Sequence, residues 1–415
     1  MLLTDEEKRM LDGEMGFPMQ KSMQILTALG DAFGAEQMVE IRTAHLPGVS
    51  IEVAGEAGAQ FLESMASQGG KFKVYTTTNI CSIDFDRWNE LGILAEDQRL
   101  QEKMSKACID MGALLLHSCI PYDLGHVPRL GEHVAWGESS AVMYVNSVLG
   151  ARTNKEGAPS ALAAAITGRV PAYGMHLQEN RYASVVVRVT TPLSGITDYG
   201  TLGYFAGKKA KEAIVVFTGM DTHASNDELK FLGASFSSSS SASMFHAVGV
   251  TPEAPTLEAA LGEKAPKYEV EFGEKEKQET ADHLNREKEG NLDWIVIGCP
   301  HVSNDEVKQI AMALKGKKVN SSVKMWILCP AMVREFAVRN GYADMIAEAG
   351  ALLVTDTCPV VMTPGTLQNL GFHTLATNSA KLVNCMPGGG RRIHYGDVDR
   401  LVQAAVTGKW GEYHG

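Results

Sequence analysis

The sequence has few aromatic residues, no excess of positive charge and no long apolar run. Only 7% of the 415 residues are aromatic, and 38 lysines and arginines stand against 49 aspartates and glutamates, a formal net charge of −11. Binding to a phosphate backbone needs concentrated lysine and arginine, so this balance argues against a nucleic-acid partner. No apolar stretch approaches the roughly 18–20 residues of a membrane span, which argues against a membrane protein. We expect a small molecule or another protein as the partner.

The sequence also lacks a basic, apolar N-terminal leader, and its seven cysteines are widely spaced and odd in number. Both features favour a reduced, cytoplasmic protein over a disulfide-linked one. With 45% hydrophobic residues, the chain is too long for one ordinary core. Strand-like and helix-like segments alternate, so the sequence predicts an α/β protein of two or three domains.

Changes in composition suggest where these domains meet. We predict an N-terminal α/β region over 1–115, an α/β domain with a polar site loop over 116–285, and a C-terminal α/β domain over 286–415. The charged stretch 262–290 predicts a solvated helix and connector at the second boundary. The serine run at 235–245 is typical of a flexible linker, or else of a loop that faces a ligand.

Four cysteines follow apolar, strand-like runs. Cys299, Cys329 and Cys358 each precede proline, in DWIVIGCP, KMWILCP and ALLVTDTCP, and Cys119 follows MGALLLH. Proline keeps the preceding residue extended, and the carboxyl ends of parallel strands share one edge of a sheet. We therefore expect the three Cys-Pro pairs to approach one edge, where thiolates could hold a metal or an iron-sulfur cluster. The alternative for each is a small buried apolar residue.

Residues 117–157 are polar and interrupted by glycine and proline, which is typical of a ligand-binding loop. Ser139 or Ser140 could cap a helix, and a helix N-terminus also binds anions. Arg152 could clamp a carboxylate or phosphate, or form a solvated salt bridge. His176 and Arg181, in GMHLQENR, could contact the ligand or lie in an exposed turn.

The chain resembles the large (catalytic) subunit of the aconitase X family over most of its length. The resemblance rests on ordered motifs, namely CIPYDLGHVPRLGEHVAWGESSAVMYVNSVLGARTNKEG, GMHLQENR, LGASFSSSSSASMFHAVGVTPEAPTLEAA, IGCPHVS, DTCPVV and TNSAK. It implies an aconitase-like fold, with several three-layer α/β domains around a central cluster and substrate cleft. It also implies a separate small subunit that carries the swivelling domain and a serine acting as the general base.

The resemblance implies an iron-sulfur hydro-lyase that removes water from a small hydroxy acid. Cys119, Cys299 and Cys358 match the family's cluster ligands, whereas Cys329 and Cys385 fall outside that set. We expect a [4Fe-4S] cluster. The chain lacks the CxxC of ordinary aconitases, so [2Fe-2S] and mononuclear iron stay open as alternatives. Zinc is a further alternative, although structural zinc modules draw their ligands from short sequence spacings.

The motifs also suggest which side chains line the cleft. The expected catalytic residues are Ser139, Ser140 and Lys381; the expected substrate contacts are His126, Glu138, Asn146, Arg152, Thr153, Asn154, His176, Arg181, Asn378 and Ser379. The substrate favoured by the sequence is cis-3-hydroxy-L-proline, dehydrated to pyrroline-2-carboxylate. Mevalonate 5-phosphate is the alternative substrate, for which GGGRR at 388–392 could bind the phosphate. A noncatalytic iron sensor or scaffold is the alternative of another class.

Overall fold

The computed structural model describes residues 1–386 and 391–411. Three parallel sheets, each in a different region of the chain, are covered by helices, and two short antiparallel pairs complete the strands. The predicted α/β class is therefore confirmed. No helix in the described ranges is long and apolar enough to cross a bilayer.

The first region contains a three-stranded parallel sheet with the order β3-β2-β4. Its helices are α1 (Asp5–Leu11), α2 (Phe17–Ala32), α3 (Ile51–Ser67), α4 (Ala95–Met111), α5 (Ser139–Ser147) and α6 (Ala158–Thr167). Its strands are β1 (Met38–Glu40), β2 (Thr43–Leu46), β3 (Tyr75–Thr78), β4 (Ala135–Trp136) and β5 (Arg169–Pro171). Thr4 begins α1 with the capping box expected from its spacing to Glu7. Gly55, at φ 57°, kinks α3.

The second region contains a four-stranded parallel sheet with the order β8-β7-β6-β9. Its strands are β6 (Val185–Val189), β7 (Val215–Thr218), β8 (His246–Ala247) and β9 (Tyr268–Phe272). Its helices are α7 (Gly195–Ala210), α8 (Asn226–Ser239), α9 (Leu257–Leu261) and α10 (Glu274–Leu284). The α7 and α8 backbones approach closely, because a Cβ on Gly203 would lie 2.2 Å from the Leu232 carbonyl oxygen.

The serine run differs from its prediction as a linker or loop, because its first part is helical. Residues 235–239 form the last turn of α8, and Ser240 is its C-cap. Ser237, Ser238 and Ser240 donate hydroxyl hydrogen bonds to carbonyl oxygens three or four residues earlier. Serine hydroxyls can make such back-bonds within a helix, so a serine-rich sequence does not by itself break one.

The third region contains a five-stranded parallel sheet with the order β13-β12-β11-β14-β15. Its helices are α11 (Asn304–Leu314), α12 (Ala331–Arg339), α13 (Tyr342–Ala349), α14 (Pro364–Leu370), α15 (Ala380–Cys385) and α16 (Val398–Thr407). Its strands are β10 (Gly290–Asn291), β11 (Trp294–Ile297), β12 (Lys324–Cys329), β13 (Leu352–Thr355), β14 (Thr374–Thr377), β15 (Arg392–Tyr395) and β16 (Lys409–Trp410). The alternation predicted for this region is therefore confirmed.

Two buried clusters cover the faces of the third sheet. One face belongs to the central core, in which Trp294 and Leu328 pack with Trp136 of the first region and Phe217 of the second. The other face belongs to the outer core of helices α11, α13 and α16, which includes Ile310, Ile346 and Leu401. Cys81, three residues beyond β3, forms an isolated bridge with Thr357, two residues beyond β13, so the carboxyl ends of the first and third sheets meet beside the central core, where a site could form.

The predicted domain boundaries remain predictions. Strand β4 pairs with β2 in one sheet, so the first sheet contains residues on both sides of the predicted 115/116 boundary. The charged stretch near the second boundary contains β9 and the largely exposed helix α10. A solvated helix was predicted there, and the strand that precedes it was not.

Candidate functional site

Three of the cysteines meet in the central core. Cys119 lies just before a short 3-10 helix, Cys299 lies two residues beyond β11, and Cys358 lies three residues beyond β13. Their residues are only 5%, 5% and 4% exposed. Burial is the main influence on all three thiols, and it raises the pKa of Cys119 to about 12 and that of Cys358 to about 11. His301, two residues after Cys299, donates its backbone N–H to Cys119 Sγ at 3.4 Å, and its Nε2 lies 3.1 Å from the carbonyl oxygen of Thr357, the residue before Cys358. These contacts bring the three cysteine segments together, and Cys385 is close enough for its charge to act on Cys299 as well.

Cys329 does not join this group. It lies inside β12 and continues the alternation of Met325 and Ile327, whose side chains pack in the outer core. Cys299 is level with Cys329 but lies past its own strand, where the chain has turned toward the central core. The expectation that three Cys-Pro pairs approach one edge is therefore wrong for the Cys329 side chain. Burial and the neighbouring Asp356 raise the pKa of its thiol.

One buried lysine lies beside the three thiols. Lys381, in the first turn of α15, donates to Glu138 Oε1 and to Ser140 Oγ at the start of α5. Glu138 has a φ of 72°, and its carboxylate accepts from Ala141 N at 2.7 Å as the N-cap of α5. Gly137 permits this turn, because a Cβ there would lie 2.0 Å from Pro47 Cγ. The sequence predicted a serine cap, whereas Glu138 fills that role.

The charges at this point favour an ion pair. Burial opposes the charge on Lys381, but Glu138 and Cys299 outweigh burial and raise the lysine pKa. Burial also opposes the charge on Glu138, and Lys381 outweighs it and lowers the carboxyl pKa. Lys381 in turn favours the thiolate forms of all three cysteines. Lys381 therefore stays charged, and Glu138 holds its ammonium group in a fixed position next to the thiols.

Asn378 and Ser379 bring further polar groups to the same place. Both follow β14, whose carboxyl end lies in the third sheet beside β11. Ser379 donates its hydroxyl to the Cys299 carbonyl oxygen and caps α15 by accepting from Leu382 N at 3.0 Å. Asn378 is 0% exposed, and neither amide atom has a hydrogen-bond partner in the described part of the chain. A buried, unsatisfied amide is costly, so Asn378 is available for a ligand.

Two more side chains reach this site that the sequence did not single out. Burial lowers the pKa of Lys155 to about 8, and the charges of Glu138 and Lys381 also act on it. Lys155 Nζ donates to the Ser241 carbonyl oxygen at 3.3 Å, so the end of the serine run borders the same space. His45, on β2, is 0% exposed and is influenced by the charge of Glu138. Lys155 follows the predicted contact Asn154 directly, which was a usable signal.

Several predicted substrate contacts lie in a different hydrogen-bond network, which ties residues 146–181 together. These residues are Asn146, Arg152, Thr153, Asn154, His176 and Arg181. Arg181 is 1% exposed and pairs with Glu253, while it also donates to the backbone of Asn146 and Ala151. Arg152 donates to the His176 carbonyl oxygen at 3.3 Å and to Gln178. Their role as substrate contacts remains a prediction. It is not favoured by the structure, because these side chains already bond to other protein groups.

The remaining predicted residues are Ser139, His126 and the GGGRR segment, and they lie at different distances from the cleft. Ser139 Oγ donates to Glu138 Oε1 at 3.4 Å, beside the Lys381 pair. His126 packs edge-on against Trp136, with 4.6 Å between ring centroids, so it lies one layer behind the cleft wall. Of the GGGRR segment, 388–390 lie outside the described residues. Arg391 donates to the Phe372 and Leu367 carbonyl oxygens, and Arg392 is exposed on β15.

The donor set suits an iron-sulfur cluster. In the described ranges, no three His, Cys, Asp or Glu side chains are grouped so that they could hold one metal ion. A cluster takes one thiolate per iron and needs no common centre for its ligands. The three thiols share the charge of Lys381, and His301 N donates to Cys119 Sγ at 3.4 Å. Backbone donors and a nearby cation stabilise the charge of sulfur ligands.

Models of one known protein family match nearly the whole chain. Models of the Aconitase X first, second and third domains match residues 1–179, 183–282 and 292–407. The crystal structure of Thermococcus kodakaraensis aconitase X in its holo-form superposes with a TM-score of 0.87 at 35% identity, and the match covers 98% of this chain and 100% of that one. The predicted aconitase-like fold is therefore confirmed.

Curated relatives give the same family. The phosphomevalonate dehydratase large subunit of Methanothermobacter thermautotrophicus is 44% identical over 92% of this chain and 93% of its own. The cis-3-hydroxy-L-proline dehydratase of Pseudomonas aeruginosa is 36% identical over 97% of this chain, which spans 70% of that protein. That of Hypocrea jecorina is 35% identical over 98% of this chain and 69% of its own. These relatives are hydro-lyases, and the chain belongs to the aconitase X family of dehydratases.

Proposed function

We propose that this chain is the large subunit of an iron-sulfur dehydratase that acts on phosphomevalonate. The observation that carries the proposal is the meeting of three buried thiols with two lysines, Lys381 and Lys155, around one carboxylate, Glu138. A cluster ligand set and an anion site thus share one place in the fold.

Cys119, Cys299 and Cys358 would hold the cluster. A cluster held by these three thiolates would include an iron without a protein ligand, and it would supply Lewis acidity toward the substrate hydroxyl. A [4Fe-4S] cluster provides such an iron, which is why we prefer it to [2Fe-2S] or mononuclear iron. All three thiols are buried, so the ligands are kept from bulk water.

The protein side chains bind and orient the substrate. Lys381 is fixed by Glu138 and Ser140, so its charge is in place before an anion arrives. The free amide of Asn378 can donate to a carboxylate oxygen and accept from a hydroxyl. This binding fixes the position of the substrate carbon that bears the carboxylate, so that the general base can remove its proton.

The general base comes, in this proposal, from a small subunit. The relatives from archaea are named large subunits, which implies a small-subunit partner. The hydroxyproline dehydratases contain about 30% of their length outside the match, enough for a fused partner domain. By resemblance to aconitases the base is a serine of that subunit, so the large subunit alone is expected to be inactive.

The charge of the site supports phosphomevalonate over hydroxyproline in this proposal. Phosphomevalonate carries a carboxylate and a phosphate, and the buried Lys381 together with the half-buried Lys155 suits two anionic groups. Hydroxyproline carries one carboxylate and an ammonium group, which the second lysine would repel, whereas the carboxylate of Glu138, which would attract it, is already paired with Lys381. The hydroxyproline reaction, which the sequence favoured, stays the second candidate because two relatives at 35% and 36% identity are named for it.

The test is an assay of the anaerobically purified complex with its small subunit on both substrates. We expect loss of water from phosphomevalonate by an enzyme with cluster absorbance in the visible range. K381M should lower kcat/KM by about 100-fold or more, since it removes a fixed charge at the reacting group. K106M, which removes an exposed lysine, should leave kcat/KM unchanged.

The remaining outcomes separate the alternatives. Turnover of cis-3-hydroxy-L-proline alone would select the second candidate. A complex that binds iron but turns over neither substrate would contradict the dehydratase proposal for these compounds. A complex without iron and without activity would favour the scaffold.

A further inference from the structure

A chain of hydrogen bonds joins two buried histidines beside the cleft. His45 Nδ1 lies 2.8 Å from Thr77 Oγ1, and the same hydroxyl lies 2.8 Å from His126 Nδ1. His45 and Thr77 are register partners on β2 and β3, so the sheet fixes their spacing. All three residues are at most 1% exposed. Each member is therefore held in place, and water does not compete for these bonds.

The inner end of the chain is at the cleft. His45 precedes the turn that packs on Gly137, and Gly137 N donates to the His45 carbonyl oxygen at 3.0 Å. Asn79 and the charge of Glu138 both influence the His45 ring, and its Nε2 makes no hydrogen bond of normal geometry to any described residue. Its ring lies 5.5 Å from that of Trp136, a member of the central core that also contains the three cysteines of the site. A buried nitrogen without a partner here is available to a substrate or a water molecule.

The outer end of the chain is near the surface. His126 packs edge-on against Tyr75, with 4.8 Å between ring centroids, and Tyr75 is 44% exposed. Val127, the next residue, is 55% exposed. The Nε2 atom of His126 also lacks a hydrogen-bond partner among the described residues. The chain therefore runs from the cleft to a histidine that lies beside two exposed residues, Tyr75 and Val127.

The central hydroxyl couples the two rings. A threonine hydroxyl has one proton to donate, so when it donates to one ring nitrogen it must accept from the other. One ring then carries its proton on Nδ1 and the other carries it on Nε2. Burial keeps both rings neutral, since it lowers the pKa of His45 to about 4 and that of His126 to about 3. The arrangement can move a proton without charging either ring.

We propose that His45, Thr77 and His126 form a proton relay that delivers a proton to the leaving hydroxyl of the substrate. His45 Nε2 gives its proton to the leaving oxygen, and the C–O bond breaks to release water. Thr77 passes its proton to His45 Nδ1, His126 Nδ1 passes its proton to Thr77, and His126 Nε2 takes one from solvent. The general base takes the carbon-bound proton, and after product release this proton returns to solvent through the relay in the opposite direction, which restores both starting tautomers and balances protons and charge. This inference rests on the dehydratase proposal.

The test removes only the central hydroxyl. T77V keeps the shape of the side chain and breaks both hydrogen bonds, whereas T77S keeps the hydroxyl. T76V is the matched control, because Thr76 is equally buried on the same strand and bonds only to the Val74 carbonyl oxygen. Single-turnover rates, KM, iron content and melting temperature are measured for the complex of each variant. Rates in mixtures of H2O and D2O count the protons that move in the transition state.

We expect T77V to lower the single-turnover rate by about 100-fold, the size of a general-acid contribution, with KM and iron content unchanged. T77S should recover most of the rate, and T76V should match the wild type. The wild type should show more than one proton in flight. Wild-type rates in T77V, or a single moving proton in the wild type, would overturn the relay.

Histidine-selective ¹⁵N spectra of the resting complex give a reading that does not depend on turnover. We expect one neutral tautomer for each ring at pH 7, and T77V should change the signals of both rings. A T77V that changes neither ring, or a ring that is charged at pH 7, would overturn the relay. If the wild type dehydrates neither substrate while the spectra match, the dehydratase proposal fails and the coupled histidines remain.

Discussion

Replacing Lys230 with methionine should destabilise the protein strongly. Lys230, on α8, is 2% exposed, and its Nζ contacts Glu306 and donates to Asp227 Oδ1 at 2.7 Å. It also donates to the His301 carbonyl oxygen at 3.4 Å, in the segment that follows Cys299. The lysine thus connects the second region to the loop that presents a proposed cluster ligand.

The magnitude follows from what K230M leaves behind. Glu306 is 3% exposed, so without Lys230 its carboxylate is buried and unpaired. Removing one member of a buried pair costs about 3–5 kcal/mol. Burial already raises the pKa of Glu306 to about 7 against the pull of Lys230. The folded pKa thus exceeds the unfolded value of about 4.3, and its favourable contribution is lost as the pH rises through about 7. The cost of K230M should be larger at pH 8.5 than at pH 5.5.

The assay is urea unfolding of wild type and variants at both pH values. K106M is the control, because the Lys106–Asp110 pair is exposed and should be worth about 0.3–0.5 kcal/mol. The double variant K230M/E306Q should recover part of the loss, since no unpaired carboxylate remains at that position. A K230M cost below about 1 kcal/mol at pH 8.5 would refute the reasoning, as would a double variant less stable than K230M.

Two further predictions concern the cleft and the helix contact. The pKa of Lys155, about 8, implies that KM for phosphomevalonate rises as the pH increases through 8. K155R should abolish that rise because arginine stays charged, and a flat wild-type KM from pH 7 to pH 9 would contradict the assignment. G203A should destabilise the protein by about 1–3 kcal/mol in urea unfolding, because its Cβ would overlap the Leu232 carbonyl oxygen. G200A, whose Cβ would meet its nearest atom at 3.3 Å, is the control, and equal losses would contradict the packing argument.

The sequence was most informative where local patterns decide the structure. Apolar runs before cysteine predicted β11, β12 and β13, and their alternation with helices predicted the parallel sheet. To choose the cluster ligands among these cysteines, the direction of each cysteine side chain must be known as well. Cys329 is still paired as the last residue of β12 and faces the outer core, while Cys299 lies two residues beyond a strand that ends at Ile297. A run of apolar residues does not state where pairing stops, and the family resemblance supplied that distinction.

The polar residues of the cleft were harder to assign from sequence. Lys381 and Glu138 are 243 positions apart, and only the fold brings them together. Arg181 was assigned to substrate because it lies in a polar motif, yet its guanidinium is used by Glu253 and by backbone oxygens. His45 sits in a short strand where a buried histidine gives no distinct pattern. The polar composition thus located the site loop, but it did not distinguish side chains that contact a ligand from side chains that bond within the protein.

The most direct test of the account is the iron bound per chain after anaerobic reconstitution of five cysteine variants. C119S, C299S and C358S should each lose the cluster and its visible absorbance. C329S and C108S should keep both, because Cys329 lies in the outer core and Cys108 packs inside the first region. Loss of iron from C329S alone, with full iron in C119S, C299S and C358S, would contradict the assignment of the site.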